Sequence, residues 1–197
     1  MKIPIFPLNG AILLRNTNLP LNIFEERYLE MVDYSLANQR LLGMIQMNSN
    51  NELYNIGCLG KIVNFSETND NRYLISLEGV EYYKIDNEID TGYKFKMVEI
   101  NLLKYDENAN SIAEKEKYFL INKFKEYVSS KNIRIDTNDL ESIGVNEVVK
   151  FIAMVSPFSV EDKQTLVETN SLSGLHKKLL SILELEIYST NSKPSIN

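Results

Sequence analysis

The sequence predicts an α+β fold in which a β-rich first half precedes a helical second half. Two observations carry this prediction: the apolar residues recur with period two as far as about residue 105, and at helical spacing beyond it. Runs of strands followed by runs of helices are typical of α+β folds or of two subdomains. We therefore predict a β-rich subdomain at 1–105, a polar link, a helical subdomain at 112–190 and a frayed tail at 191–197.

Short segments rich in β-branched and aromatic residues predict the strands. They lie at 42–47, 60–65, 72–77, 80–85 and 93–103, after an opening strand that contains Ile3, Ile5 and Leu8. The stretch ETNDNR at 67–72 is typical of a hairpin turn, because Asn and Asp tolerate a positive φ. Strands at this spacing predict an antiparallel barrel or sandwich. We expect Pro4 and Pro7 to confine the opening strand to an edge, since proline donates no hydrogen bond to a neighbour.

Helical spacing of apolar residues predicts one helix within the β half and four in the second half. The predicted ranges are 25–38, 113–129, 145–155, 160–169 and 172–188. Glu25 and Glu26 suit the first turn of the earliest helix, where the helix dipole favours negative charge. Ser159 is a favourable N-cap for the helix that follows it.

Composition and charge exclude several classes of function. The net charge of −6 argues against a large nucleic-acid surface, because such surfaces cluster Lys and Arg. We interpret the densest basic groups, Lys123 with Lys125 and 176–178, as solvated helix faces. The longest apolar runs are far shorter than the roughly 20 residues that cross a bilayer, so no membrane association is expected. A single cysteine and no leader pattern make the cytoplasm the expected compartment.

The sequence contains no recognisable catalytic, cofactor or metal motif. Neither GxxxxGK[ST] nor GxGxxG occurs, and one histidine excludes sites built from several. We interpret His176 as a surface residue, with a catalytic base as the alternative, and Cys58 as a small core residue rather than an activated nucleophile. Gly57 and Gly60 fit a bulge or tight packing. We therefore expect no enzyme activity, and no catalytic, cofactor-binding or metal-binding residues.

The opening stretch IPIFPLNGAILLRNTNLPLNIFEERYLEMVD, at 3–33, carries a long ordered pattern. It closely resembles the N-terminal substrate-binding domain family of Lon proteases, whose pattern is IPIFPL-x-G-x-x-L-x-P followed by L-P-L-x-I-F-E-P-R-Y-x-x-M. The stretches at 41–46, 56–62, 72–85 and 156–168 also resemble stand-alone bacterial members of that family. Arg15 and Glu26 depart from the pattern, because they stand where the family usually has proline.

The resemblance implies a PUA-like antiparallel β-barrel with one inserted helix, followed by a C-terminal helical bundle. It further implies a non-catalytic module that binds unfolded or degron-bearing polypeptides, with a role as adaptor or regulator in proteolysis and a protease as a partner. Full-length members continue into an ATPase module and a Ser–Lys protease domain. Since the sequence has neither, we expect no ATP or peptide hydrolysis. A monomer or weak homo-oligomer is expected.

Exposed apolar residues of the opening stretch are the candidate site. An apolar groove or sheet edge can bind unfolded segments by burying side chains or by adding a strand. The candidate polypeptide-binding residues are Leu13, Leu14, Leu19, Leu21, Phe24 and Tyr28. The alternative is that the stretch only specifies the fold, with Glu25 and Arg27 forming an ion pair at the helix start.

The sequence leaves three other functions open. PUA-like barrels of other families bind RNA, although the acidic balance argues against this function. A small-molecule sensor is the second, since the related cereblon proteins pair a Lon-like domain with a zinc-containing ligand-binding domain. One cysteine cannot build that zinc site. An enzyme of unrecognised type is the third.

Overall fold

A computed structural model describes residues 1–106 and 112–191. The strands are β1 (Lys2–Pro7), β2 (Asn18–Ile23), β3 (Leu41–Ile45), β4 (Ile56–Glu67), β5 (Tyr73–Ile89) and β6 (Met97–Leu102). The helices are α1 (Glu26–Ala37), α2 (Glu114–Ser130), α3 (Val145–Val155), α4 (Val160–Val167) and α5 (Leu172–Asn191), with a 3-10 helix at Asn138–Glu141. The predicted α+β class is confirmed. The expectation for the tail falls mostly on 192–197, outside the described residues.

Contacts divide the chain into two compact units. The β-rich unit contains Met1–Tyr105 and Pro157–Glu168, and the helical unit contains Asp106–Ser156 and the residues from Thr169 onward. We predicted that 112–190 would form a helical subdomain, whereas in the structure α4 belongs to the β-rich unit. Its N-cap was anticipated, since the Ser159 hydroxyl accepts a hydrogen bond from the Asp162 amide at 3.0 Å.

Buried polar contacts hold α4 in the β-rich unit. The side-chain amide of Gln164 donates a hydrogen bond to the Ile56 carbonyl at 3.0 Å. The side-chain amide of Gln46 donates one to the Gln164 side-chain oxygen at 3.2 Å. The Lys163 ammonium donates to the Gly10 carbonyl at 2.7 Å. Burial lowers the pKa of Lys163. These contacts join residues more than 100 positions apart, which explains why local sequence patterns did not reveal them.

The strands form one sheet in the order β2-β5-β4-β3-β1-β6, and β5 also pairs with β6. This extra pairing closes β5, β4, β3, β1 and β6 into a ring, and β2 is attached to β5. β1 runs parallel to β3, with Ile5 opposite Gly43, so the expectation of a purely antiparallel sheet is wrong at this ladder. Parallel strands need a long crossover connection, and β2 with α1 supplies it here.

β1 lies between two strands, so the prediction of an edge position is also wrong. It pairs with β6 through Lys2–Pro4 and with β3 through Ile5–Pro7. The pairing with β6 therefore ends at Pro4, and the pairing with β3 ends at Pro7. The residue after each proline again donates a backbone hydrogen bond. The Ile5 amide donates to the Lys96 carbonyl at 3.0 Å, and the Leu8 amide donates to the Ile45 carbonyl at 2.9 Å. The sheet thus accommodates two residues that lack an N–H.

The core of the β-rich unit packs around Tyr83, whose side chain is fully buried. Its hydroxyl donates to the Met44 carbonyl at 3.3 Å. A Cβ on Gly43 or Gly57 would collide with the tyrosine ring, so both glycines provide room for it. The register shifts between Leu59 and Gly60, which is a bulge. The interpretation of the GCLG glycines as tight packing and a bulge is confirmed.

Three strand predictions need adjustment. The segments predicted at 72–77 and 80–85 form one long strand, β5, because Gly79 continues the ladder. The predicted strand at 93–103 begins only at Met97. The residues before Met97 pack on α1 instead, where Tyr34 contacts both Tyr93 and Phe95 at ring distances of 5.1 and 5.5 Å. The hairpin turn between Glu67 and Tyr73 is confirmed.

The helical unit buries one face of each of its main helices. Fully buried side chains on α2, α3 and α5 form its core, including Leu120, Phe124, Val148, Ile152, Leu179 and Leu183. His176 is 5% exposed, so its interpretation as a surface residue is wrong. It lies four residues after Leu172 and three before Leu179, on the buried face of α5. Among the described residues, its Nε2 finds no hydrogen-bond partner.

Candidate functional site

An apolar groove lies along β2 and holds a cavity of about 230 Å³. We call it the β2 groove. Its lining comes from the end of β1, from β2 and from the start of α1, and includes Phe6, Pro7, Leu8, Leu21, Phe24 and Tyr28. Met47, which follows β3, also lines it. The groove therefore joins three segments of the opening stretch to one distant residue.

The sequence of β2 alternates between polar and apolar residues, and this alternation decides which of them point inward. Leu19 and Leu21 are half-buried, opposite Leu77 and Ile75 of β5. Asn18, Pro20 and Asn22 are exposed. Since β5 is the one described strand that pairs with β2, the other edge of β2 carries no described strand.

Phe24 stands between the end of β2 and the start of α1, and its side chain is 64% exposed. The Arg72 guanidinium lies 5.9 Å from the centre of its ring. An ion pair directly after Phe24 anchors the helix start, since Arg27 pairs with Glu25 at 2.8 Å as predicted. Glu26 occupies the first position of α1, a position that favours proline and that also favours a negative charge.

Tyr28 forms part of the floor of the groove and is buried, contrary to the expectation that it offers exposed surface. Its ring meets Phe6 edge to face at 4.5 Å, and the Arg27 guanidinium lies 4.5 Å from the ring centre on α1. Burial raises the pKa of the Tyr28 hydroxyl, so this residue stays neutral near pH 7. The floor therefore offers aromatic surface from Phe6 and Tyr28, with the charge of Arg27 beside it.

A second cavity of about 150 Å³ adjoins the β2 groove. We call it the basic pocket. The two cavities share four lining residues, Pro7, Arg27, Tyr28 and Met47. The other lining includes the apolar side chains of Ile5, Leu53 and Phe95 and the lysines Lys94 and Lys96. Of the described residues, none that lines the basic pocket carries a carboxylate.

The two lysines of the basic pocket form exposed ion pairs. Lys94 contacts Glu26 at the start of α1, and Lys96 contacts Glu88 at 2.9 Å. The hydrogen bond to Glu26 raises the pKa of Lys94. Lys94 therefore remains positively charged near pH 7.

The structure brings together three of the six predicted site residues. Leu21, Phe24 and Tyr28 line the β2 groove, and Leu19 lies on the same strand outside the lining. Leu13 and Leu14 are fully buried, so the expectation that they offer exposed surface is wrong.

Two close approaches explain why Leu13 and Leu14 are buried. A Cβ on Gly60 would lie 2.9 Å from Leu13, and one on Gly79 would collide with the Leu14 carbonyl. The loop between β1 and β2 therefore packs directly on β4 and β5. Glycines at both contact positions allow the loop to come this close.

Sequence reasoning missed the residues that reach the β2 groove and the basic pocket from outside the opening stretch. Met47 and Leu53 come together through an isolated bridge across a turn, and Lys94 and Lys96 flank the buried Phe95. The alternation of lysine and aromatic residues at 93–97 was a usable signal for a charged rim over an apolar floor. No local signal placed this segment beside α1.

Further exposed apolar residues lie at the tip of the β4–β5 hairpin. Phe65 and Leu74 are both exposed, and the Phe65 ring meets Tyr73 at 5.0 Å. Tyr73 and Leu74 pair with Ile23 and Asn22, so the tip lies beside the last residues of β2. The exposed apolar surface therefore extends from the mouth of the groove along this hairpin.

The described residues give no sign of a reaction centre. Within them, no cluster of His, Cys, Asp or Glu is arranged to hold a metal ion. Cys58 is buried, which confirms its interpretation as a core residue, and burial raises the pKa of its thiol. None of the described helices is both long and apolar enough to cross a membrane.

Comparison with known proteins finds Lon proteases at the level of sequence. Lon protease of Buchnera aphidicola subsp. Schizaphis graminum is 23% identical over 202 residues, covering 95% of this chain and 25% of that protein. Lon protease of Dictyoglomus thermophilum is 24% identical over 207 residues, covering 97% of this chain and 25% of that protein. The chain thus spans about a quarter of the length of the curated relatives that it matches.

Two solved structures share the fold. The Lon N-terminal domain protein from Xanthomonas campestris has a TM-score of 0.66 at 17% identity, covering 93% of this chain and 98% of that one. The N-terminal domain of Mycobacterium avium complex Lon protease has the same TM-score at 13% identity, with the same coverage. At this level of identity the similarity concerns the fold alone.

A family model gives the assignment. The model described as the ATP-dependent protease La (LON) substrate-binding domain matches residues 2–184, a range that contains every strand of the sheet and the whole β2 groove. The resemblance seen in the opening stretch is thereby confirmed. The chain belongs to the LON substrate-binding domain family.

Proposed function

We propose that this chain is a cytoplasmic, non-catalytic module that recognises unfolded or degron-bearing polypeptides through the β2 groove. We further propose that it serves proteolysis as an adaptor or regulator. Membership of the LON substrate-binding domain family supports the first part, and the relatives' name, Lon protease, supports the second.

The observation that carries the proposal is the exposure of Phe24 at the mouth of an apolar groove. A phenylalanine that is 64% exposed contributes little to the stability of its own unit. Aromatic side chains at the centre of an interface often carry much of the binding energy. Phe24 therefore offers apolar contact area that a bound polypeptide would bury.

The edge of β2 supports a specific mode of binding. An extended segment can add to a sheet edge through main-chain hydrogen bonds, while its alternate side chains enter pockets. The cavity beside Leu21, about 230 Å³, is smaller than the roughly 300–1,000 Å³ of typical small-molecule sites. It therefore suits individual side chains of a polypeptide better than a cofactor.

A fluorescence anisotropy titration with a labelled polypeptide that cannot fold tests the proposal. We expect saturable binding that changes little with salt. Phe24→Asp should raise Kd at least about tenfold, because it places a charge where an apolar side chain is buried. Phe119→Asp is the matched control, since Phe119 is an exposed phenylalanine on α2 of the helical unit.

The thermal unfolding midpoint of each variant decides how the titration is interpreted. Phe24→Asp should unfold at nearly the wild-type temperature, and Phe24→Ser provides the same comparison without added charge. Unchanged binding by a folded Phe24 variant would contradict the proposal. So would a wild-type protein that binds a labelled RNA in a strongly salt-dependent manner while ignoring the polypeptide.

The adaptor role requires its own measurement. Adding this chain to a Lon-type protease should change the rate at which the protease degrades the same polypeptide, and Phe24→Asp should remove that change. An unaltered degradation rate in the presence of a chain that binds the polypeptide would exclude the adaptor role and leave recognition standing.

A further inference from the structure

We propose that the basic pocket binds the carboxylate of an Asp or Glu side chain in a polypeptide whose neighbouring apolar residue occupies the β2 groove. This inference rests on the proposed function and names the chemistry of the segment that is recognised. Its carrying observation is that every charged side chain lining this cavity is a cation, and that the carboxylates paired with these cations lie outside the lining. The chain has a net charge of −6, yet three cations and no described carboxylate line this cavity.

The lining of the basic pocket combines positive charge with an apolar floor. Arg27, Lys94 and Lys96 supply the charge, and Ile5 and Phe95, both buried, supply apolar surface. Apolar walls lower the local dielectric, which strengthens the attraction between a cation and a bound carboxylate. A segment with an acidic residue beside an apolar one would therefore match both features.

The present partners of the three cations, which include Glu25 at 2.8 Å from Arg27, do not block such binding. The pairs of Lys94 with Glu26 and of Lys96 with Glu88 join exposed side chains, with more than half of each side chain accessible. Exposed pairs of this kind contribute little stability, so they rearrange at small cost. An incoming carboxylate can share these lysines or replace their partners.

The geometry favours an acidic side chain over the terminal carboxylate of a polypeptide. Recognition of a chain end relies on backbone N–H groups that converge on the carboxylate. In the basic pocket the charged groups are the long side chains of Arg27, Lys94 and Lys96, which can reach a carboxylate that projects from the middle of a segment. Because the β2 groove adjoins the pocket, one extended segment can occupy both cavities.

The test uses two labelled peptides that differ only in carrying Glu or Gln beside the same aromatic residues, each with an amidated C-terminus. We expect the full chain to bind the Glu peptide at least about threefold more tightly at low salt, with a smaller preference at high salt. The double variant Lys94→Gln/Lys96→Gln should lose most of this preference, because Arg27 is then the one cation left in the lining. Lys61→Gln is the matched control, because Lys61 is an exposed lysine of β4 outside the lining.

Each other outcome would overturn the inference. Equal affinity of the wild type for both peptides would do so, as would a preference that is undiminished in the double variant. A preference for a free C-terminus over an amidated one, with no effect of Glu, would assign the pocket to chain ends instead. Binding of the Gln peptide that depends on Phe24 would still support the proposed function, whereas failure to bind either peptide would contradict both.

Discussion

Two regions of the opening stretch have similar composition but differ in how far the fold buries them. In the loop between β1 and β2, Leu13 and Leu14 are completely covered. Only a few residues later, Leu21 is half-buried and Phe24 is largely exposed. Apolar character alone therefore does not distinguish a core residue from a candidate contact residue.

The difference arises from what lies opposite each region. The loop meets Gly60 of β4 and Gly79 of β5, where the absence of a Cβ lets the backbone approach closely. β2 meets another strand along one edge, and its end faces the groove. The comparison teaches that a close-packed partner converts an apolar segment into core, and that an edge strand leaves the next residue accessible.

The largest expected difference in the free energy of unfolding is between variants of Leu14 and Phe24. Leu14→Ala should lower the free energy of unfolding by about 2–5 kcal/mol, because it removes a fully buried side chain and leaves a cavity. Phe24→Ala should change it by no more than about 0.5 kcal/mol. Urea unfolding followed by circular dichroism measures both values. Similar losses for the two variants would show that Phe24 belongs to the core.

The next effect concerns the close approach of the loop to β5. Gly79→Ala should destabilise the protein by about 1–3 kcal/mol, because the new methyl group collides with the Leu14 carbonyl and the backbone cannot move freely. Gly92→Ala is the control, since a Cβ there meets no atom within 4 Å. If both variants unfold at the wild-type urea concentration, the loop does not depend on this contact.

A smaller effect should be visible in the chemistry of Cys58. Cys58 and Leu13 line the same small cavity under the loop, so the reactivity of the thiol reports opening of that region. Leu13→Ala should speed modification by a thiol reagent roughly 5- to 30-fold, as expected if opening becomes easier by one or two kcal/mol. Phe24→Ala should leave the rate unchanged. Equal acceleration in both variants would mean that the two regions open together.

The smallest effect is expected at the ion pair that begins α1. Glu25→Gln should lower the free energy of unfolding by less than about 1 kcal/mol, because Glu25 and Arg27 are both well exposed. High salt should reduce the difference from the wild type further. A larger loss in the urea titration would show that the start of α1 supports the fold and not only the rim of the groove.

The sequence predicted the elements that depend on residues close together in the chain. The helix at Val145–Val155 has the predicted bounds, the Ser159 cap forms, and the turn after Glu67 lies where Asn and Asp predicted it. Each depends on residues within a few positions of one another. Periodicity and turn chemistry were sufficient in these places.

Contacts between distant residues account for the errors. The parallel pairing of β1 with β3 and the placement of α4 beside the strands both join segments separated by many residues. His176 was misread because two neighbouring lysines suggested a surface, although its own position matched the apolar face of α5. The lysines of the basic pocket were missed for the same reason, because Lys94 reaches Glu26 only after folding.

By itself the sequence determined the succession of strands and helices, the family and the apolar character of the opening stretch, because these depend on local order and composition. Only the tertiary structure decided that Leu13 and Leu14 are core while Phe24 is exposed. It also decided that a pocket lined by three cations forms in an acidic chain. Burial and local charge depend on which side chains contact one another, and most of these contacts join residues that are far apart in the sequence.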